Sequence, residues 1–148
     1  MTEAEGGRLV GRTHHFPVRV YFADTDAAGM VYHSTYFDFA ERARTEMMRL
    51  AGFDHADLKK RLGLLLGVHA CDARYVRPAW LDDVLDVRTE VIELGGASMR
   101  LRQDMWRENE EIARLGVRLV CIGSDGKATR LPDDMRDKVR NFLVAEAE

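Results

Sequence analysis

Asp24, Asp26 and His33 fall within the ten residues Asp24-Thr25-Asp26-Ala27-Ala28-Gly29-Met30-Val31-Tyr32-His33, a stretch otherwise rich in small and polar side chains. A carboxylate can attack an electrophilic carbonyl or take a proton from water, and a neutral imidazole can orient that water or polarise the carbonyl. The apolar-periodic segment that follows predicts a helix, whose first turn has backbone N–H groups without internal partners and a partial positive charge. A developing oxyanion is stabilised there. Gly29 permits a tight turn or a close approach to a ligand. The same residue types also have plain structural uses: aspartates cap turns, and Ser34 suits a helix N-cap. Ser34 beside His33 does not form a nucleophile and base pair, because neighbours at a helix start point in different directions.

Before this stretch, Phe16, Val18, Val20 and Phe22 alternate with polar or open positions, the two-residue period of a strand with one buried face. Pro17 cannot donate to a ladder, which favours an edge position or the strand start. After it, Tyr36, Phe39, Ala40, Ala43, Met47 and Leu50 recur at spacings of three and four, predicting a long helix ended by Gly52. Strands are predicted at Leu65 to Val76, Val84 to Leu94, Ala97 to Arg107 and Ile112 to Ile122. The turns are Gly95-Gly96 and Glu108-Asn109, with Ser124-Asp125-Gly126 after the last strand. A last helix follows Pro132, with Met135, Val139, Phe142 and Leu143 as its apolar stripe. Residues 1–12 show no sustained period and are expected to be a flexible lead-in, with one domain over 13–148. One helix face covering one antiparallel sheet gives a two-layer α+β domain, and the apolar character of the other sheet face points to a second copy.

The 148 residues carry a formal net charge of -3, which supplies no basic field for nucleic acid or anionic lipid. No apolar run reaches the roughly 20 residues of a membrane span, and the acidic start lacks a signal-peptide core, so a cytoplasmic location without integral membrane contact is expected. Cys71 and Cys121 both sit in apolar-alternating stretches and are expected to be free core thiols. His69 and Cys71 are two apart on a predicted strand, yet no second pair completes a tetrahedral set, and neither metal nor other cofactor is expected. His15-Phe16-Pro17 echoes the opening of a dehydratase motif, but Val18 to Val20 lacks its continuation.

The run Arg19-Val20-Tyr21-Phe22-Ala23-Asp24-Thr25-Asp26-Ala27-Ala28-Gly29-Met30-Val31-Tyr32-His33-Ser34-Thr35-Tyr36, continuing to Glu46, resembles the active-site segment of the 4-hydroxybenzoyl-CoA thioesterase family. The likeness is greatest to the branch associated with the Tol-Pal envelope complex. Tyr75-Val76-Arg77-Pro78-Ala79 and Leu81-Asp82-Asp83-Val84-Leu85 extend it, so that it covers His14 to about Leu143. The resemblance implies a hotdog fold, a long helix wrapped by an antiparallel sheet, assembled as a homodimer or homotetramer. It implies hydrolysis of short-chain or aromatic acyl-CoA, with Asp26 as the catalytic carboxylate and His33 as its companion. Gly29, Tyr32 and Ser34 fall in the motif and are carried as substrate-binding positions. Arg74 and Arg77, with Arg130 beyond, are candidates for the CoA portion by charge and position. Met30 stands where the family has valine or isoleucine, which bears on acyl preference. Two other activities fit similar residues: hydration or dehydration of an acyl thioester, and non-catalytic acyl-thioester binding as an envelope-complex partner. The intact Asp26, Gly29 and His33 set speaks against the second of these.

Overall fold

A computed structural model describes residues 6–144. Six strands form one antiparallel sheet: β1 (Arg8–Val10), β2 (Thr13–Arg19), β3 (Leu65–Tyr75), β4 (Val84–Leu94), β5 (Ser98–Arg107) and β6 (Glu110–Ile122). Their spatial order is β1-β2-β4-β5-β6-β3. The consecutive strands β4, β5 and β6 form a meander joined by short turns, in which Gly95 N–H bonds the Ser98 carbonyl and Glu108 takes a positive φ of 53°. β2 and β3 dock on its two sides, so residues adjacent in the sheet come from distant parts of the chain.

Helix α1 (Thr35–Leu50) lies across the sheet and buries Tyr36, Phe39, Ala40, Ala43, Met47 and Met48. The predicted stripe is thus correct except at its end. Leu50 is 45% exposed, and Met48 is buried in the core instead. Gly52 follows with φ 98°, a conformation only glycine takes freely, and its N–H bonds the Arg49 carbonyl. A second short helix, α2 (His55–Leu62), was not predicted. It is charged on most sides and buries only Leu58, but Asp54 caps it by accepting the Asp57 N–H at 2.7 Å, and Gly63 ends it at φ 65°. Helix α3 (Asp133–Val139) follows Pro132 and places Met135 and Val139 in the core, joined by Phe142 of a 3-10 turn.

Three other expectations are corrected. Within the stretch read as a lead-in, Arg8–Val10 forms β1 and pairs with Thr13–His15, so that part is ordered; residues 1–5 lie outside the described part. Strand β2 ends at Arg19, and Phe22, expected to be buried, is 80% exposed in a 3-10 turn. Cys121 is buried as expected, whereas Cys71 is exposed on β3, one of the two edge strands. Pro17 sits where β1 has already ended, so its missing N–H faces an unpaired edge.

Two apolar clusters make up the core. One comprises Val18, Val20, Val31, Tyr36, Phe39, Leu85, Met105 and their neighbours; the other is centred on Met47, Met48, Leu101, Leu119, Met135 and Phe142. Between them runs a polar row, His14 on β2, Thr89 on β4 and Gln103 on β5, all fully buried and directly opposite one another in register. Gln103 Nε2 donates to the Ala40 carbonyl at 2.8 Å and to Thr89 Oγ1 at 3.0 Å, fastening helix to sheet.

Candidate active site

The loop from Val20 to Ser34 is stitched to the β3–β4 connection by backbone bonds. Val20 N–H bonds the Asp83 carbonyl at 2.8 Å and Asp82 N–H returns to Val20 at 3.0 Å. Leu81 N–H bonds Gly29 at 2.9 Å, and Val31 N–H bonds Ala79 at 3.0 Å. The connection itself is fixed by Asp83, whose Oδ2 accepts from Trp80 N–H at 2.8 Å and from Arg107 Nη1 at 2.6 Å. Two loops that would each be mobile alone hold each other in one conformation.

Within this frame the two aspartates differ. Asp24 Oδ2 accepts the Tyr21 N–H at 2.8 Å, closing the 3-10 turn, and its carbonyl accepts Tyr32 N–H at 3.1 Å. Asp26 is half-buried, and one oxygen, Oδ1, accepts both Ala28 N–H at 2.9 Å and Met30 N–H at 3.0 Å. Its own backbone closes the turn, with Gly29 N–H on the Asp26 carbonyl at 3.0 Å and Gly29 at φ 85°. The second oxygen, Oδ2, takes no hydrogen bond among the described residues. The carboxylate is therefore oriented through one oxygen and chemically available through the other.

Met30, whose N–H holds Asp26, lines a cavity of about 240 Å³ together with His33, Tyr36, Tyr75, Arg77 and Pro78. His33 precedes helix α1 by two residues, is exposed, and stacks on Tyr75 with ring centroids 4.6 Å apart. Tyr75 Oη donates to the His33 carbonyl at 3.1 Å, so ring and backbone are fixed together. Tyr36 is buried, its Oη accepts Ala79 N–H at 3.1 Å, and burial pushes its phenol above the ordinary value, which keeps it neutral. Arg77 donates to the Glu111 carbonyl at 2.9 Å. At the helix start, Thr35 N–H bonds Tyr32 and Phe37 N–H bonds Ser34. The N–H groups of His33, Ser34 and Tyr36 enter no backbone bond among the described residues. These are the donors an oxyanion could use.

Of the predicted positions, His33 and Arg77 line the cavity, whereas Asp26 and Gly29 lie on the adjoining loop and are not among its lining residues. Ser34 stands at the helix cap but makes no side-chain capping bond, contrary to the plain structural reading of it. Tyr32 is half exposed and contributes backbone bonds. Arg74 is exposed on β3 outside this cavity, and Arg130 sits near Asp133 at 3.7 Å, next to α3. Tyr36 and Tyr75 were read only as core or strand residues; their phenol groups, unlike phenylalanine, gave the signal of a polar task. His69 falls at a register shift in β3, and no group of three or more potential metal ligands occurs among the described residues. A larger cavity, about 660 Å³, lies elsewhere among His15, Pro17, Asp86 and Trp106 and contains none of these residues. Size alone does not mark a catalytic site.

A long helix wrapped by an antiparallel sheet, with a carboxylate loop leading into the helix, defines a hotdog-fold thioesterase. The chain belongs to the thioesterase-like superfamily, which it matches over residues 20–139. It is 41% identical over 107 residues to a Haemophilus influenzae protein named acyl-CoA thioesterase YbgC, spanning 72% of this chain and 79% of that one. A probable thioesterase from Bartonella henselae is 34% identical, with a TM-score of 0.78 covering 81% of this chain and 99% of the other. The structure of a 4-hydroxybenzoyl CoA thioesterase mutant, 22% identical, shares the fold with a TM-score of 0.81, covering 86% of this chain and 99% of that one.

Proposed function

We propose that this chain hydrolyses acyl-CoA thioesters to free acid and CoA, with Asp26 as the essential carboxylate. The observation that carries the reading is the asymmetric Asp26 side chain, held through Oδ1 and open at Oδ2, on the loop that leads into a helix start with unpartnered N–H groups. Substrate carbonyl oxygen at those N–H groups would gain as negative charge develops, while Asp26 Oδ2 either takes a proton from the attacking water or attacks the carbonyl itself. Thiolate is a good leaving group, so no nucleophile triad is required. His33, with its ring fixed on Tyr75, assists by orienting water or the carbonyl. Gly29 shapes the loop, and Tyr32, Ser34, Arg74 and Arg77 contribute to substrate binding.

The test is thiol release from acyl-CoA panels that include short-chain and aromatic acyl groups. Release without change in the acyl double bonds is expected. Loss of conjugated-enoyl absorbance without thiol would instead mark a hydratase, and no reaction at all would leave a binding module. Single turnover in ¹⁸O water tests the nucleophilic role of Asp26, since label in its carboxylate requires an anhydride opened by water at Cγ, and trapping of that anhydride covers opening at the acyl carbon. The assembly we expect is a homodimer or homotetramer, supported by the eleven-residue β3, whose outer edge is unpaired among the described residues and carries exposed Leu65, Val68 and Tyr75. Light scattering showing an active monomer at micromolar concentration would refute it. No helix among the described residues is long and apolar enough to cross a membrane. We place the protein in the cytoplasm, with a functional link to the Tol-Pal complex; both rest on the sequence reading, and cell fractionation with co-purification tests them.

A further inference from the structure

Met30 supplies one of the two N–H groups that hold Asp26 Oδ1, and the position of its amide is set from outside the loop. The residue before it, Gly29, accepts the Leu81 N–H at 2.9 Å, and the residue after it, Val31, donates to the Ala79 carbonyl at 3.0 Å. The connection between β3 and β4 thus brackets the Met30 amide. Whatever fixes residues 79–81 also fixes a donor to the carboxylate.

Three side chains from elsewhere in the fold reach this connection. On the helix side, Tyr36 Oη accepts the Ala79 N–H at 3.1 Å. From β2, Arg19 Nη1 donates to the Asp82 carbonyl at 3.0 Å. Arg107, the last residue of β5, spans both ends: its Nη1 donates to Asp83 Oδ2 at 2.6 Å and to the Pro78 carbonyl at 3.3 Å, while Nη2 donates to Glu110 Oε1 at 3.2 Å. The same Asp83 oxygen accepts the Trp80 N–H at 2.8 Å, which carries the restraint to the middle of the connection. The Arg107 and Asp83 side chains are each about one-fifth exposed, so their charge-assisted bond is less screened than one in open solvent. Asp82 beside them sits at φ 71°, the left-handed region that is disfavoured for a residue with a Cβ. Such a conformation persists where the surrounding bonds over-determine the backbone.

We propose that Arg107 is a positioning residue for hydrolysis: through Asp83 and the 78–83 connection it sets the Met30 N–H, and with it the aim of the Asp26 carboxylate. The inference rests on the reading of Asp26 as the essential carboxylate. Arg107 acts from the far side of the connection and is assigned no contact with substrate. Its planar fork serves two acceptors at once, which a lysine ammonium on a flexible stem does not reproduce. A misplacement of about 1 Å at a reacting group costs roughly a hundredfold in rate.

The experiment compares Arg107→Met, Arg107→Lys, Asp83→Asn and the double variant Arg107→Met with Asp83→Asn, all in the full chain, by acyl-CoA kinetics and by hydrogen exchange of the peptide spanning residues 26–31. In Arg107→Met, kcat should fall about tenfold to a hundredfold with KM close to the parent value, and the 26–31 amides should exchange about tenfold faster. Arg107→Lys, which keeps a charge-assisted bond to Asp83, should recover part of kcat. The double variant should be no worse than Arg107→Met alone, because both substitutions break one link. Met135→Ala, a core variant remote from the connection, serves as the stability control and should leave both kcat and the exchange of 26–31 unchanged. An unchanged kcat in Arg107→Met overturns the proposal. A rise in KM at full kcat does so too, since it would make Arg107 a substrate contact, as does an equal loss of kcat in Met135→Ala, which would reduce the effect to general stability. Should Arg107→Met fail to fold, Arg107→Lys and Asp83→Asn decide by the same readings. Faster exchange of 26–31 at full kcat overturns the positioning role alone, whereas thiol release retained in Asp26→Asn would overturn the reading of Asp26 and the route proposed through it.

Discussion

On the side of the His14–Thr89–Gln103 row nearest Asp26, the core is built of Val18, Val20, Val31, Tyr36, Phe39 and the small residues Ala40, Ala43 and Ala79. On the other side it is built of Met47, Met48, Met99, Met135, Leu101, Leu119, Leu131 and Phe142, and is closed by α2 and α3. The first half consists largely of stiff, β-branched or aromatic side chains and is continuous with loops that bond to each other through their backbones. The second is flexible in its side chains, which fill irregular space and make no contact with the cavity lined by His33 and Tyr75. The contrast assigns different work to the two halves: one holds the Asp26 loop in a fixed conformation, the other supplies buried area. Substitutions should sort accordingly.

The largest effect expected is on the rigid side. Asp26→Asn keeps both backbone hydrogen bonds through its amide oxygen but lacks a basic or nucleophilic oxygen. Thiol release should fall about 10²-fold to 10⁴-fold while the melting temperature stays close to the parent value. Asp24→Asn, two residues away, should show the reverse balance, because its carboxylate serves the Tyr21 turn. Activity lost as completely in Asp24→Asn, with unchanged melting, would erase the distinction between the two aspartates.

On the flexible side, Met135→Ala removes a fully buried side chain from the cluster under α3. Denaturant unfolding should register a loss of about 2–5 kcal/mol, with turnover per folded molecule preserved. A large fall in kcat at full folding would show that the two halves are coupled. His33→Ala should then reduce turnover by about tenfold, less than Asp26→Asn, since the backbone N–H groups of the helix start remain. Were His33→Ala inactive and Asp26→Asn still active, the roles of the pair would be reversed.

The smallest effect lies in the row that separates the halves. His14 is fully buried with Nε2 2.8 Å from the Gly6 carbonyl, and burial holds its imidazole below the usual 6.5. A lowered folded-state value means that the unfolded chain takes up the proton first. The contribution of His14 to stability is thus complete above about pH 6.5 and is lost as pH falls through that value towards the lower folded one. His14→Gln should melt with a shallower dependence on pH between 7 and 5 than the parent. Parallel profiles would place the acid sensitivity in another group.

The hairpins, the long helix and the Asp26 loop were legible because each has a strong local signal: two-residue alternation, a three-and-four stripe, and a specific motif. Strand β1 was not, since its three residues are all exposed and its pairing with β2 is long-range information in so short a segment. Helix α2 was hidden by its polarity, although Asp54 and Gly63 marked both its ends. Cys71 was misjudged because an alternating strand reads as half-buried, whereas β3 is exposed along nearly its whole length within one chain. Tyr36 and Tyr75 could not be placed at the site from spacing, because they meet only when β3 is laid beside α1.

The sheet order also carries a timetable. The β4–β5–β6 meander joins residues near in sequence and can zip early, whereas β3 must wait for β6, some fifty residues later, before it has a partner. Tyr75, and Arg77 just beyond it, arrive with β3, so the cavity beside His33 is completed by one of the last strands to dock. In refolding experiments, recovery of thiol release should lag behind recovery of far-ultraviolet circular dichroism, and coincident rates would show that the edge strand forms with the meander. Until β3 docks, the early-folding part of the sheet has an open side, and the enzyme is most exposed to aggregation just before it becomes active.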